Sequence, residues 1–395
     1  MESKLKSIQI FYLPFSIPPM TRSLLSNASL NFDVASKQAD MKTWETLAQG
    51  GSDDFLYARN TPSDSILAVE KSVSLLEKSD TAIAFASGMA AIYAALMSQL
   101  KPGMTLVASA NIYGGSYAIL EHLLPTWGVN VVLIASNTKT SLAQVIQQGC
   151  DLVYLETPSN PLLKIQDIQQ LCELAHEQDA KVIVDNTVAT PITQKPITLG
   201  ADIVVHSATK FLSGHADTMG GVVCTSHAIK PSIVAFKELS GGCLDPMGGF
   251  LIARGMRTLE LRMQQSMHNA QLLAELLLES DSVDAVYYPG LASHPDHDIA
   301  AKQMQGFGAL LSFNLKGGTV AVETFVNTFE PHHLRSTLGS VDTLLGLPST
   351  TSHIECTIEE RIALGIPEGL VRCSVGIENT DELMHKFKKA LKRLC

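Results

Sequence analysis

A lysine within the sequence HSATKFLSGHADTMGG, residues 206–221, is the strongest candidate for chemistry. Lys210 follows the apolar run 201–205 and is surrounded by small hydroxyl and glycine residues. A strand that ends in such residues presents its next side chains at the carboxyl edge of a sheet, where α/β proteins bind ligands. An amine held there away from water has a lowered pKa and becomes a nucleophile for carbonyl carbon. The pattern therefore favours a reactive lysine over a structural one.

Two further features are typical of ligand sites. Ser87, Gly88 and Met89 follow a short apolar run and open a helix, and the free N–H groups at such a turn bind anions, most often phosphate. Asp185 ends the run KVIVD, so a sheet would direct its carboxylate into the ligand crevice. That carboxylate could pair with a protonated heterocyclic nitrogen, bind a metal or act as a nucleophile. A phosphatase-type pattern would need a second aspartate at position 187, where the chain has Thr187.

An aromatic residue and an amide complete the set. Tyr113 precedes two glycines that let backbone approach a flat ligand, so its ring could lie against one. Asn160, in ETPSNP, could donate to a ring oxygen. A buried turn tyrosine and an ordinary Asn-Pro turn are the alternatives. Together, a phosphate turn, a strand-end carboxylate, an aromatic ring and a lysine are the parts that hold pyridoxal phosphate (PLP).

The elements that must position these residues form an alternating pattern. Short apolar strands separated by helices predict an α/β fold with a mostly parallel sheet covered on both faces. The predicted strands of this part are 81–86, 106–108, 131–134, 152–155, 182–184 and 203–205. Beyond Asp245 the pattern predicts one long helix over 250–279, strands at 309–314 and 371–375, and a C-terminal helix from Asp381.

Three parts follow from this organisation: an N-terminal arm over residues 1–52, a large cofactor-binding domain over 53–245, and a smaller α+β domain over 246–395. The chain has 395 residues, of which 46% are hydrophobic and 17% charged, so it is globular. Its net charge of −10 argues against nucleic-acid or acidic-membrane partners. No apolar run reaches the length of a membrane span. Seven scattered cysteines without a CxxC pair favour a reducing compartment, hence the cytoplasm.

Two rival chemistries fit the lysine segment less well. Ser207 and Lys210 match the S-x-x-K of penicillin-recognising serine hydrolases, but the companion Ser-Asp-Asn and Lys-Thr-Gly motifs do not follow. His206, His215 and Asp217 suggest metal ligation, but their spacing fits no closed ligand set, so no metal is expected. A non-catalytic protein that binds a ligand on the same fold is the other alternative.

Several segments resemble the Cys/Met-metabolism family of PLP enzymes, which includes cystathionine γ-lyase, cystathionine γ-synthase, methionine γ-lyase and O-acetylhomoserine sulfhydrylase. The matching segments are FASGMAA, IYGGSY, ETPSNP, VIVDNT, HSATKFLSGHAD, RTLELRM, YPGLASHP and LVRCSVGIE. The resemblance implies the aminotransferase-like fold (fold type I) and PLP as cofactor. The implied activity is γ-elimination on an amino acid of the methionine or cystathionine type. The alternative is γ-replacement on an O-acyl homoserine.

The resemblance also implies roles for individual residues. Lys210 would form the Schiff base and carry protons, Asp185 would pair with the pyridine nitrogen, and Asn160 would lie near the ring oxygen. Tyr113 would stack on the ring and act as acid and base towards the leaving group. Arg372 would bind the substrate carboxylate, with Thr337 nearby. The residues implied at the cofactor's phosphate are Ser87, Gly88, Met89, Ser207 and Thr209.

A neighbouring subunit enters the same implied site. Tyr57 and Arg59, in FLYARN, would reach the phosphate of the neighbour's cofactor, and the N-terminal arm would contact that subunit too. The resemblance therefore implies a homotetramer built from dimers with shared active sites. The turn after Arg59 is one residue shorter than the family's Asn-Pro-Thr turn.

Departures from the family pattern lie where the substrate's side chain is read. Leu56, Ala118 and Ser336 stand where cystathionine enzymes often carry charged residues, which favours a smaller or more apolar γ-substituent. Thr337 replaces the usual serine of the Ser-Leu-Gly segment. Gly115, however, replaces the cysteine typical of methionine γ-lyases. The substrate and the choice between elimination and replacement stay open.

Overall fold

The architecture comes from a computed structural model of the chain. The residues it describes are 30–49, 56–134, 141–330, 333–351, 357, 359, 361 and 364–394. Much of the predicted N-terminal arm, residues 1–29 and 50–52, lies outside the described residues.

A large, mostly parallel sheet forms the first layer of the fold, as predicted. Its order is β1-β7-β6-β5-β4-β2-β3, with β2 to β6 paired in parallel and β7 antiparallel to both of its neighbours. The strands are β1 Thr81–Phe85, β2 Thr105–Ser109, β3 Asn130–Ile134, β4 Leu152–Glu156, β5 Lys181–Asp185, β6 Ile203–Ser207 and β7 Gly221–Thr225.

Helices cover both faces of this sheet, which is why the central residues of its strands are apolar on both faces. The helices are α1 Met41–Ala48, α2 Asp64–Glu77, α3 Gly88–Met97, α4 Gly114–Ala118, α5 Leu142–Ile146, α6 Ile168–His176, α7 Thr190–Thr193, α8 Lys230–Ser240, α9 Pro246–Met256, α10 Leu259–Leu278, α11 His297–Gln303, α12 Gly318–Val326 and α13 Thr380–Leu391. Helices α2, α5 and α6 pack on one face, and α3 and α8 on the other.

The predicted single helix over 250–279 is wrong. The chain forms α9 and α10 instead, with Thr258 between them at φ −114° and ψ 7°. A Cβ on Gly255 would lie 2.0 Å from the Ser213 carbonyl oxygen, so the end of α9 is pressed against the segment that follows Lys210. Apolar spacing continues through the break, which is why the sequence pattern did not reveal it.

A second, antiparallel sheet forms the smaller layer, in the order β10-β11-β9-β8. Its strands are β8 Val283–Tyr287, β9 Leu310–Leu315, β10 Leu344–Gly346 and β11 Leu370–Ser374. The sequence predicted β9 and β11 to within one residue and missed β8 and β10, as it also missed β7 of the large sheet. The predicted domain boundary falls between the cap residue Asp245 and the first residue of α9; the division into domains stays a prediction. Among the described helices, none is both long and apolar enough to cross a membrane.

Candidate active site

One cavity collects most of the predicted site residues at the carboxyl edge of the large sheet. Three neighbouring parallel strands, β4, β5 and β6, end there in Glu156, Asp185 and Ser207. Tyr57 and Arg59 are not part of its lining. The predicted residues that line it are Ser87, Gly88, Met89, Tyr113, Asn160, Asp185, Ser207, Thr209, Lys210, Thr337 and Arg372.

Lys210 lies on the turn that follows β6. Its Nζ donates to Thr337 Oγ1 at 3.0 Å, and its side chain is half-buried. Loss of hydration and then the positive charge of Arg372 lower the pKa of this amine to about 8. Because a neutral amine is the nucleophilic form, the site favours reaction with a carbonyl group near physiological pH.

Arg262 holds the backbone next to Lys210, a role that sequence reasoning missed. Its guanidinium donates to the carbonyl oxygens of Phe211 at 2.8 Å, Leu212 at 3.4 Å and Gly255 at 2.9 Å. Burial lowers the pKa of Arg262 to about 10. Helical spacing in α10 puts it on the same face as the buried Leu259. A charged residue at a core position is the signal that could have revealed it.

The N-terminus of α3 forms a small cradle. Ser87 is its N-cap and accepts from the Ala90 N–H at 3.1 Å. The first N–H groups of a helix have no partner within the helix, so they are available to an anion. A Cβ on Gly88 would lie 2.6 Å from Ser207 Cβ and 2.7 Å from Ser207 Oγ. Only glycine allows this close approach of Ser207 to the N-terminus of α3, and the donors gathered there suit a phosphate group.

Asp185 lies deeper, at the end of β5. Its Oδ1 accepts from the Thr187 N–H at 3.0 Å, and its Oδ2 accepts from the Tyr154 hydroxyl at 3.4 Å. Burial raises the pKa of Asp185 above its usual range. No ion pair to Asp185 occurs among the described residues. A buried carboxylate of this kind suits a cationic partner such as a protonated pyridine nitrogen.

Glu156 is a second buried carboxyl that the sequence analysis did not single out. It is the register partner of Asp185 across β4 and β5. Its Oε2 accepts from the Tyr113 N–H at 2.6 Å and its Oε1 from the Asn160 N–H at 2.9 Å. Burial and then the charge of Asp185 raise the pKa of Glu156 to about 8. Its place at a strand end, like that of Asp185, is the signal that could have identified it.

Arg372 closes the cavity from the small sheet. It lies on β11 and is buried. Its Nη1 donates to Asn160 Oδ1 at 3.3 Å, and its Nη2 donates to the Thr337 carbonyl oxygen at 3.1 Å. Burial lowers the pKa of Arg372 to about 10, which leaves it charged. A planar cation beside a reactive amine suits a carboxylate ligand.

The remaining predicted residues lie elsewhere. Tyr57 and Arg59 are exposed, with the guanidinium carbon of Arg59 5.6 Å from the centre of the Tyr57 ring. Two of the three residues weighed as metal ligands, His206 and His215, have separate partners. His206 Nε2 and Glu77 Oε1 are 2.6 Å apart, and the ring of His215 contacts the Ser213 carbonyl oxygen at 2.7 Å.

Comparisons with known proteins agree with this site. Residues 21–392 match the model of the family described as Cys/Met metabolism PLP-dependent enzyme. The chain is 40% identical over 344 residues to an L-methionine gamma-lyase of Fusobacterium nucleatum subsp. polymorphum, covering 86% of this chain and 87% of that protein. It is 36% identical over 355 residues to a cystathionine gamma-lyase of Bacillus subtilis (strain 168), with 90% and 93% covered. It is also similar to a crystal structure of cystathionine gamma synthase from Xanthomonas oryzae pv. oryzae, with a TM-score of 0.87, 35% identity, and 93% and 92% covered.

Proposed function

Because the chain belongs to the Cys/Met metabolism family of PLP-dependent enzymes, we propose that it catalyses γ-elimination on an amino acid of the methionine or cystathionine type. The products would be an α-keto acid, ammonia and a thiol. The observation that carries this proposal is the Lys210 amine, which is half-buried, 3.0 Å from Thr337 Oγ1, and in one cavity with Asp185 and Arg372. PLP is the cofactor of the family.

The residues would divide the work as follows. When bound, PLP supplies an electron sink for the charge that develops beside Cα. Lys210 accepts the Cα proton and returns it, which its lowered pKa supports. Asp185 stabilises a proton on the pyridine nitrogen. The N-terminus of α3, together with Ser207 and Thr209, binds the phosphate.

Substrate binding would depend on the other side of the cavity. Arg372 pairs with the α-carboxylate of the substrate through two parallel hydrogen bonds. Because Asn160 Oδ1 already accepts from Arg372, its Nδ2 can donate to the ring oxygen. The Tyr113 ring lies against the flat cofactor, and its hydroxyl protonates the leaving group.

A second function uses the same machinery. A γ-replacement transferase would capture a thiol where a lyase releases a keto acid, and the similar Xanthomonas protein is named a synthase. The residues of the cavity suit both reactions. The uncharged Leu56, Ala118 and Ser336 favour a neutral γ-substituent in either case.

Assembly and location form part of the proposal. We infer a homotetramer built from dimers, in which Tyr57 and Arg59 complete the phosphate site of the neighbouring subunit. Their exposure and their position outside the cavity of their own chain support this arrangement. The cysteines 150, 172, 224, 243 and 373 are free thiols, which supports a cytoplasmic location.

The test is a comparison of wild type with Lys210→Ala. The PLP-loaded wild type is expected to show a visible absorbance band from the lysine-bound cofactor, and Lys210→Ala to lose both the band and turnover. Methionine, cystathionine, cysteine, homocysteine and O-acyl homoserines are then assayed with and without an added thiol. Keto acid as the main product supports elimination, and a new thioether supports replacement. A colourless wild-type protein after incubation with PLP would contradict the proposal.

A further inference from the structure

Glu156 joins two loops that carry side chains of the cavity. One carboxylate oxygen accepts from the backbone of Tyr113, at the start of α4, and the other accepts from the backbone of Asn160. The two loops are otherwise far apart in sequence. A single carboxylate therefore sets how the Tyr113 ring and the Asn160 amide are placed relative to the end of β4.

The position of this carboxylate is costly for the fold. Glu156 is 5% exposed and lies beside Asp185, another buried carboxyl, with which it is paired in register. Two carboxylates so placed repel each other and both lose hydration. Backbone N–H groups at a strand end can be satisfied more cheaply by carbonyl oxygens or by water. A buried carboxyl group that destabilises the fold and lies at the edge of a cavity is more typical of a functional role than of a structural one.

We propose that Glu156 is a positioning residue, which fixes Tyr113 and Asn160 for contact with the cofactor ring through their two backbone N–H groups. This inference rests on the proposed function, because it assumes that PLP occupies the cavity. Glu156 itself transfers no proton in this scheme. Its two oxygens only accept hydrogen bonds from the backbone N–H groups of Tyr113 and Asn160.

The decisive variant is Glu156→Gln. A carboxamide has one acceptor oxygen and one donor group, so it can keep only one of the two N–H contacts. We expect the dissociation constant of PLP, measured by titration of the apoprotein, to rise about tenfold for the loss of one buried hydrogen bond. At saturating PLP, the visible circular dichroism band should fall to less than half of its wild-type intensity. The absorbance band should persist, because Lys210 is intact.

Asp151→Asn is the matched control. Asp151 lies just before the other end of β4, is exposed, and accepts from the Thr105 N–H at 2.7 Å. It makes the same kind of bond at the opposite edge of the sheet. We expect Asp151→Asn to leave the PLP dissociation constant and the circular dichroism band unchanged. If Glu156→Gln lowers thermal stability but leaves the PLP dissociation constant and the circular dichroism band unchanged, Glu156 is structural and the inference fails.

Two further variants keep the test decisive. If Glu156→Gln does not fold, Glu156→Asp replaces it as the test, because aspartate keeps two oxygens on a shorter side chain. We expect its dichroism band to be weaker than that of wild type. A band of wild-type intensity in Glu156→Asp would overturn the inference. In a Tyr113→Ala background, the effect of Glu156→Gln on the band should at least halve, since one of its targets is gone. An undiminished effect would mean that Glu156 does not act through Tyr113. Failure of the proposed function is distinct, because wild type would then bind no PLP.

Discussion

The floor and the rim of the cavity are built in different ways. The floor consists of Glu156, Asp185, Lys210 and Arg372. Glu156 and Asp185 end their strands, Lys210 lies on the turn after β6, and Arg372 lies within β11. Three of them are buried: Glu156 is 5% exposed, Asp185 6% and Arg372 3%. The rim includes Met219, which is 67% exposed, and the exposed Ser336, both of which line the cavity.

This difference separates two tasks of the enzyme. Floor side chains are fixed by strand geometry and by hydrogen bonds, so they suit chemistry that every substrate shares. Rim side chains lie on loops with fewer constraints, where contacts change without cost to the core. We therefore expect floor substitutions to reduce kcat/KM for all substrates by large factors. Rim substitutions should change which substrate is preferred, by small factors.

Apart from Lys210→Ala, which removes the reactive amine itself, the largest effect is expected for Asp185→Asn, which removes the charge of a buried side chain and keeps its shape. Breaking a buried charge pair costs about 3–5 kcal/mol, on the order of 10²–10⁴-fold in kcat. The loss should be similar for methionine and for cystathionine, and steady-state kinetics on both would measure it. A loss of kcat that differs strongly between these substrates would show that Asp185 affects substrate preference, as we expect only of rim residues.

Arg372→Lys should act mainly on KM. Lysine keeps the positive charge but cannot form two parallel hydrogen bonds to a carboxylate. It also leaves Asn160 Oδ1 and the Thr337 carbonyl oxygen without their present donor. We expect KM to rise about 10- to 100-fold with a smaller change in kcat. An unchanged KM would show that the substrate carboxylate binds elsewhere.

Gly88→Ala should weaken cofactor binding selectively. The added methyl group would lie 2.6 Å from Ser207 Cβ, so it would displace Ser207 from the N-terminus of α3. Overpacking of this kind costs about 1–3 kcal/mol, so the PLP dissociation constant should rise about tenfold or more. Pyridoxal, which lacks the phosphate, is the control ligand, and its binding should hardly change. Equal losses for both ligands would argue against a phosphate site there.

The pH dependence of cofactor attachment tests the environment of Lys210. Desolvation lowers the pKa of this amine from 10.5 to about 8, so its neutral form appears at lower pH than that of an exposed lysine. The rate of PLP attachment to the apoprotein should rise about tenfold from pH 7 to pH 9 and then level off. Stopped-flow absorbance would follow it. A rate that still climbs steeply above pH 9 would mean that the amine is hydrated.

The residues proposed to contact the cofactor could be predicted from the sequence better than the residues that hold them in place. Lys210 and Asp185 could be predicted because each follows an apolar strand, and parallel strands end at one edge. Glu156 and Arg262 were missed because their roles depend on which backbone groups come near them in space. The register that pairs Glu156 with Asp185 is a tertiary property, and no local pattern encodes it.

The missed fold elements have related causes. Strand β10 spans three residues and β8 is mostly half-buried, so neither shows a strong apolar period. The break between α9 and α10 follows from the close approach of Gly255 to the Ser213 carbonyl oxygen, which is again a tertiary contact. Local propensity gives way to packing at such points.

The smallest effect is expected at the rim, from Ser336→Glu. Ser336 lies at the cavity and is exposed, so a carboxylate there could pair with the distal ammonium group of cystathionine. Exposed ion pairs contribute about 0.2–1 kcal/mol, which predicts a rise of only about 1.5- to 5-fold in the ratio of kcat/KM for cystathionine to that for methionine. Ser336→Gln introduces a neutral side chain of the same size as the glutamate, and it should leave the ratio unchanged. Because the pair is screened by salt, the gain should shrink between 20 mM and about 500 mM NaCl. A change in the ratio that persisted in high salt would contradict an exposed ion pair. A change that lowered kcat equally for both substrates would show that Ser336 acts as a floor residue, so the distinction between floor and rim would be wrong.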